Sequence, residues 1–469
     1  MVTESVAVDG PSDEDRADGA PLSIHLKETL LLGLPLVGAQ LAQMAINVTD
    51  TALIGRLGPE PLAAAVLATQ TFFLVWMFGA GFAQAVMPVA AAAAGRGDVR
   101  GIRRSVRMGL WVVLLYGTLV MVPLWHTESF LLALDQEPGV AKLAGDFMRI
   151  LQWSMVPALV VVTLRSYLGV LGRAHVVLAI TVLGAILNAA LDVAFIFGRF
   201  GAPALGMAGA AYASVGTNIA MALAAVLYTS KAPGLRVHEL YVRFWRPDWA
   251  AFTEVLRLGW PISTTIIAEV GLFAAASILM GWFGTVPLAA HGIALQLASI
   301  AFMVPLGLSS AGTIRVGHAF GAKDWTGIGR AGTAAMILSL VAALAGAALF
   351  WAMPEALISL YLDRAAPDAA AVLAFGVPLL FVAAAFQFVD GLQVVATSLL
   401  RGLKDTRVPM LIALFSYWII GMPIAYVLAF KLGLAGPGVW IGLAAGLFVS
   451  AVMMTWRFQS RVRLGLTPR

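Results

Sequence analysis

Apolar runs long enough to cross a bilayer, about 20 residues each, recur along almost the whole of this sequence with few charges inside them. No water-soluble core could bury them all. Charged residues make up 12% of the 469-residue chain and hydrophobic residues 60%, whereas a soluble chain is about one quarter charged. The expected fold is therefore an all-α polytopic membrane protein. The net charge of +5 reads as loop topology rather than as nucleic-acid binding. The chain has no cysteine, which excludes disulfides and thiolate chemistry.

About twelve spans are expected, at approximately 29–54, 62–92, 104–124, 144–171, 175–198, 204–229, 252–282, 287–318, 330–353, 367–400, 407–430 and 434–456. Lys and Arg concentrate in the connections after even-numbered spans, as in GRGDVRGIRRSVR and RGLKDTR, and at the C-terminus. The positive-inside bias then puts both termini in the cytoplasm. The first twenty residues are polar and acidic and lack the basic start and apolar core of a signal peptide.

The sequence also repeats itself. A constant offset in residue number, that from Gly55 to Gly281 (281 − 55), also pairs Gly58 with Gly284 and Pro61-Leu62-Ala63-Ala64 with Pro287-Leu288-Ala289-Ala290. The same register pairs Gly33 and Pro35 with Gly259 and Pro261, Gly81 with Gly307, Gly95 with Gly321, and Asp98 with Asp324. Six spans per half give both halves the same orientation. The expectation is two pseudo-symmetric six-helix bundles, related by an axis along the membrane normal, around a central cleft. The implied division is an acidic tail over 1–24, an N-terminal lobe over 25–230, a linker over 231–249, a C-terminal lobe over 250–458 and a second tail over 459–469. Pro35 and Pro261 lie inside the first helix of each half, where each removes a backbone hydrogen bond and can bend the helix.

An ionised side chain inside a span costs about 2.5–3.5 kcal/mol on insertion scales, so it faces a cavity or a partner. Asp50, Asp192, Glu269 and Asp390 are placed this way. Asn188 stands one turn before Asp192, on the same helix face. Counting depth at about 1.5 Å per residue brings Asp50, Asn188 and Asp192 together in the outer half of the N-terminal lobe. It brings Glu269 and Asp390 together near mid-membrane in the C-terminal lobe. Oxygen clusters of this kind suit a hard cation. They also suit a proton, because desolvation and a neighbouring carboxylate both favour the neutral acid. The alternative is a satisfied structural polar group. His291 could relay protons, although a structural histidine is the better expectation; Arg165 and Arg315 are also polar within apolar surroundings. The sequon Asn47-Val48-Thr49 falls inside a span, out of reach of glycosylation.

No GxxxxGK[ST] phosphate loop, HExxH or GxSxG occurs, so an ATP motor and two common hydrolase classes have no signature here. Energy is expected from an ion gradient.

VTDTALIGRLGPEPLAA (48–64), EVGLFAAASILMGWFG (269–284), IRVGHAFGAKD (314–324) and DGLQVVATSLLRGLKDTRVP (390–409) resemble the multidrug and toxic compound extrusion (MATE) family, and the Glu269–Asp390 pair its NorM-type bacterial branch. The resemblance covers about residues 25–460. It implies an antiporter, not an enzyme, in the bacterial inner membrane, exporting organic cations in exchange for Na⁺ or H⁺. No cofactor, nucleic acid or obligatory protein partner is implied. Glu269 and Asp390 would form a C-lobe cation site; Asp50, Asn188, Asp192 and Ser214 would form an N-lobe cation or proton site. One departure is Phe386, where relatives often carry Tyr one turn before the acid. Two other readings remain open at this stage. A flippase of lipid-linked saccharides would favour a cleft lined by Arg and Lys, and an intramembrane enzyme would use Asp and Glu as acid and base.

Overall fold

The computed structural model describes residues 21–362 and 367–468. The acidic segment before residue 21 lies outside the described residues. Among the described residues, twelve helices long and apolar enough to cross a membrane follow one another. They are α1 (Leu22–Gly55), α2 (Pro59–Gly95), α3 (Val99–Trp125), α4 (Pro138–Val170), α5 (Ala174–Phe197) and α6 (Met207–Lys231) in the first half. The second half has α7 (Trp249–Gly281), α8 (Thr285–Ala322), α9 (Trp325–Ala352), α10 (Ala369–Gly402), α11 (Arg407–Lys431) and α12 (Ala435–Gln459). Every expected span is present, most of them extended by a turn or two at one or both ends.

The repeat governs how these helices begin. Gly58 and Gly284 precede α2 and α8 with φ of 118° and 112°, a region that favours glycine because it has no Cβ. Asp98 accepts the Gly101 N–H at 2.8 Å ahead of α3, and Asp324 accepts the Gly327 N–H at 2.7 Å ahead of α9. Each carboxylate satisfies a donor that the helix start leaves without a partner.

The other repeated glycines form the seam between the lobes. A Cβ on Gly81 would lie 2.3 Å from Ser263 Oγ, and one on Gly307 would lie 2.5 Å from Val37 Cγ2. Val37 is the repeat partner of Ser263 (263 − 226). Gly259 faces Phe82, and Gly33 faces Leu308, the repeat partner of Phe82; Gly95 faces the His318 carbonyl and Gly321 that of Ala92. If position i of one half meets j of the other, then j of the first meets i of the second. That reciprocity is the mark of a two-fold interface.

All of these contacts lie in the halves of α1, α2, α7 and α8 nearest the chain ends and the Arg-rich connections, here termed the basic end. The lobes therefore close on one another at the basic end.

Polar ties reinforce the closure. Ser263 Oγ donates to the Phe78 carbonyl at 2.6 Å. Arg315, only 13% exposed, reaches from α8 to α1, where it bonds Thr29 Oγ1 at 2.7 Å, the His25 carbonyl and the Glu28 carboxylate. His318 Nε2 and the Val170 carbonyl lie 3.0 Å apart across the same seam. The linker after α6 is seated on the N-lobe. Arg103 pairs with Glu239 at 2.6 Å, Arg107 donates to the carbonyls of Val242 and Arg243, and Trp111 donates to that of Phe244. Arg104 pairs with Asp248 and holds that carboxyl below the usual range.

Candidate functional site

In the N-lobe, Asp50 projects from α1 and Ser214 Oγ of α6 donates to its Oδ2 at 3.2 Å. Asn188 and Asp192, one turn apart on α5, have no exposed surface. Their side chains lie beside Asp50. Even so, no hydrogen bond of proper geometry reaches Asn188, either oxygen of Asp192 or Oδ1 of Asp50. Thr217, three residues after Ser214, is buried with its hydroxyl also unpartnered. Two carboxylates thus sit together with most of their acceptor positions unused. An uncompensated buried charge is costly, so this arrangement calls for a positive charge, as a proton or a cation.

The C-lobe holds the second pair. Glu269 on α7 is half-buried and Asp390 on α10 is 6% exposed. Each lies within electrostatic reach of the other. Asp390 Oδ1 has no hydrogen-bond partner. The Phe386 ring is fully buried edge-on to Phe273 and Trp440, 6.0 and 5.4 Å between centroids, and it offers no hydroxyl. Tyr417 on α11 brings one into the same electrostatic neighbourhood as Glu269 and Asp390. Its side chain is fully buried beside Ser450, and neither its hydroxyl nor that of Ser416 finds a partner. Both belong to a π-helical turn, Phe415–Gly421, the wider winding that marks functional sites in many helices. Arg401, in the last turn of α10, lies toward the basic end within reach of Glu269 and donates to Gln84 of α2 at 3.5 Å.

His291 and Arg165, by contrast, have partners. Trp440 Nε1 donates to His291 Nδ1 at 3.1 Å, and His291 Nε2 lies 3.1 Å from Ser277 Oγ, which donates to the Phe273 carbonyl. Indole is only a donor, so Nδ1 accepts and the proton sits on Nε2. The ring braces α7, α8 and α12. Arg165 Nη1 donates to Gln40 Oε1 at 2.9 Å within the N-lobe.

The geometry thus brings Asp50, Asn188, Asp192 and Ser214 into one cluster and Glu269 and Asp390 into another. Thr217, Tyr417, Ser416 and Arg401 are additions that the sequence reading did not single out. Tyr417 was open to the depth count. It stands about three helical turns from the basic start of its helix (417 − 407), and Asp390 about as far from the end of its own (402 − 390).

A family model, MatE, matches residues 35–194 and 261–427, two stretches whose starts are separated by the spacing of the internal repeat (261 − 35). The chain belongs to the MatE family. It is 53% identical over 434 residues to a probable multidrug resistance protein NorM of Rhizobium meliloti (strain 1021), covering 92% of this chain and 93% of that one. It is 50% identical, with the same coverage, to a probable multidrug resistance protein NorM of Agrobacterium fabrum (strain C58 / ATCC 33970). Among solved structures, the fold is similar to an outward-facing conformation of a multidrug resistance MATE family transporter of the MOP superfamily. The TM-score is 0.85 at 21% identity, over 94% of this chain and 96% of that one. It is similar too to a MOP superfamily transporter from Pyrococcus furiosus, with TM-score 0.85 at 20% identity over 95% and 97%. This MatE protein is therefore a multi-pass membrane protein of the multidrug efflux transporter family, NorM-type, and its relatives are transporters rather than enzymes.

Proposed function

We propose that the chain is an antiporter that exports organic cations by alternating access, driven by inward movement of Na⁺ or H⁺ across a bacterial plasma membrane. The observation that carries this reading is the pair of acid clusters, one per lobe, each holding carboxylate oxygens that no donor in the protein satisfies. The natural occupant of such a site carries positive charge and can leave again. With the basic end in the cytoplasm, the seam is closed on the inside and the cleft opens outward. Coupling ions enter the lobe acids from that side and favour drug release; return to the inward-open state delivers the ion and loads new substrate. A ligand shifts such an equilibrium only by its difference in affinity for the two states, so the acid pairs must bind the ion unequally in them.

The test is efflux of a fluorescent organic cation from reconstituted vesicles under separately imposed Na⁺ and pH gradients. Removing two charged ligands worth about 1.5–3 kcal/mol each should slow gradient-driven efflux in Glu269→Gln/Asp390→Asn by about two to four orders of magnitude, with the fold intact. Full activity in that variant overturns the coupling role of the C-lobe. Parallel assays of Asp50→Asn assign the ion used by each lobe.

A further inference from the structure

Asp390 also lines a cavity within its own lobe. This small cavity lies between α8, α9 and α10 and is lined by Ala301, Phe302, Pro305, Ala343, Gln387 and Asp390. The space open to the centre of a water molecule there is about 10 Å³, the lower edge of what one water needs. Its lining residues carry three polar groups short of a partner. Asp390 Oδ1 and Gln387 Nε2 are unsatisfied, on side chains 6% and 7% exposed. Pro305 has no N–H, so the carbonyl of Ala301, one turn earlier in α8, loses its helical donor. The Gln387 amide is seated by Gly346 of α9, where a Cβ would lie 2.5 Å from its Oε1. That seat holds the oxygen against α9 and leaves the NH₂ unpartnered.

We propose that this cavity is a binding site for a single water molecule, and that this water holds Asp390 in place through the transport cycle. The donor set fits water and disfavours a metal ion. Water can donate to the Ala301 carbonyl and to Asp390 while accepting from Gln387, three hydrogen bonds, the usual number for a buried water. A cation would meet the Gln387 NH₂ head-on. Water also serves Asp390 in both charge states, donating to the carboxylate or accepting from the acid. An acid that must gain and lose its counter-charge in every cycle is thereby never left without a partner on this side. Gln387 acts here as a positioning residue, through the water. The role in coupling rests on the proposed function; the site itself does not.

A structure of the full chain, at a resolution where other buried waters appear, should show one peak within hydrogen-bond distance of Asp390 Oδ1, Gln387 Nε2 and the Ala301 carbonyl. Absence of that peak overturns the site. So does a heavy-atom signal there after Na⁺ is replaced by Tl⁺, which would make it a cation site. Ala343→Val fills the cavity without touching a polar group, and Gln387→Met removes the donor at similar volume. Both should lose the peak and slow ion-driven efflux about tenfold, while dye binding and thermal stability stay near wild type. Wild-type efflux in both variants overturns the positioning role. A wild-type protein whose efflux ignores both gradients instead sinks the coupling reading and leaves the water site standing.

Discussion

The two lobes share a scaffold and differ in their chemistry. Gly33, Gly81, Gly95 and Asp98 have counterparts in Gly259, Gly307, Gly321 and Asp324 that do the same work, in the seam or at a helix start. The carboxylates do not follow the repeat: Asp50 corresponds to Ala276 and Glu269 to Gln43 (50 + 226, 269 − 226). The N-lobe acids sit among an amide and hydroxyls from α5 and α6. The C-lobe acids sit among aromatic rings, a π-helical hydroxyl and a half-buried arginine. Packing between lobes has to match itself across the two-fold, whereas a polar cluster inside one lobe is free to diverge.

The strongest way to break this comparison is to attack the seam on both sides. Gly81→Ala and Gly307→Ala each push a methyl into backbone of the opposite lobe. Overpacking of this kind costs about 1–3 kcal/mol, enough to shift the balance away from basic-end closure by about 5- to 100-fold. The chain has no native cysteine, so a single Ala311→Cys near Gly33 reports opening through its rate of modification by a water-soluble thiol reagent. Both variants should raise that rate to a similar extent. A large effect from one and none from the other would show that the seam is not the symmetric element described here.

A smaller and one-sided effect is expected in the C-lobe. Tyr417→Phe removes one oxygen and keeps the ring. A neutral hydrogen-bonding group is worth about 0.5–1.5 kcal/mol, so the coupling-ion concentration for half-maximal efflux should rise about 2- to 10-fold. Ser214→Ala in the N-lobe removes a hydroxyl already bonded to Asp50. If Ser214→Ala shifts the same curve and Tyr417→Phe does not, the ion preference resides in the N-lobe.

What the sequence made legible follows from cost. Twelve spans could be read because hydrophobic length has no other use in a chain this poor in charge. The four acids could be read because a carboxylate in a span is expensive enough to need a reason. Hydroxyls and amides carry no such mark. Thr181 and Thr229 return their hydroxyls to carbonyls one turn back, at 2.8 Å each, a local bond open to any helical Ser or Thr. Thr217 and Ser416 look the same in sequence, and only their missing partners set them apart. Arg401 reads as part of a basic loop in RGLKDTR, and the last turn of α10 brings it within reach of Glu269. Phe386 is a different case: the departure is visible, while the hydroxyl contributed by another helix depends on a π-turn that no residue pattern announces.

The gentlest test compares the segments that follow each lobe. The linker after α6 rests on α3; the segment after α12 rests on α9, where Arg461 closes over Gly329 and the Phe458 ring. Only the linker holds a histidine. His238 is buried with its Nδ1 2.9 Å from the Tyr167 hydroxyl. Burial pushes its pKa below the ordinary 6.5, with Arg103 adding to the effect and a hydrogen bond at Leu235 opposing it. The seated linker therefore prefers neutral imidazole, and a released linker takes up a proton more readily. Seating is at full strength above about pH 6.5 and weakens as the pH falls through the lowered value. Hydrogen exchange over residues 236–248, corrected for its intrinsic pH dependence, should rise severalfold between pH 8 and pH 5. His238→Gln should flatten the response, and residues 461–468 should show none in either protein. An equal rise in both segments would trace the change to the bundle as a whole and remove His238 as its cause.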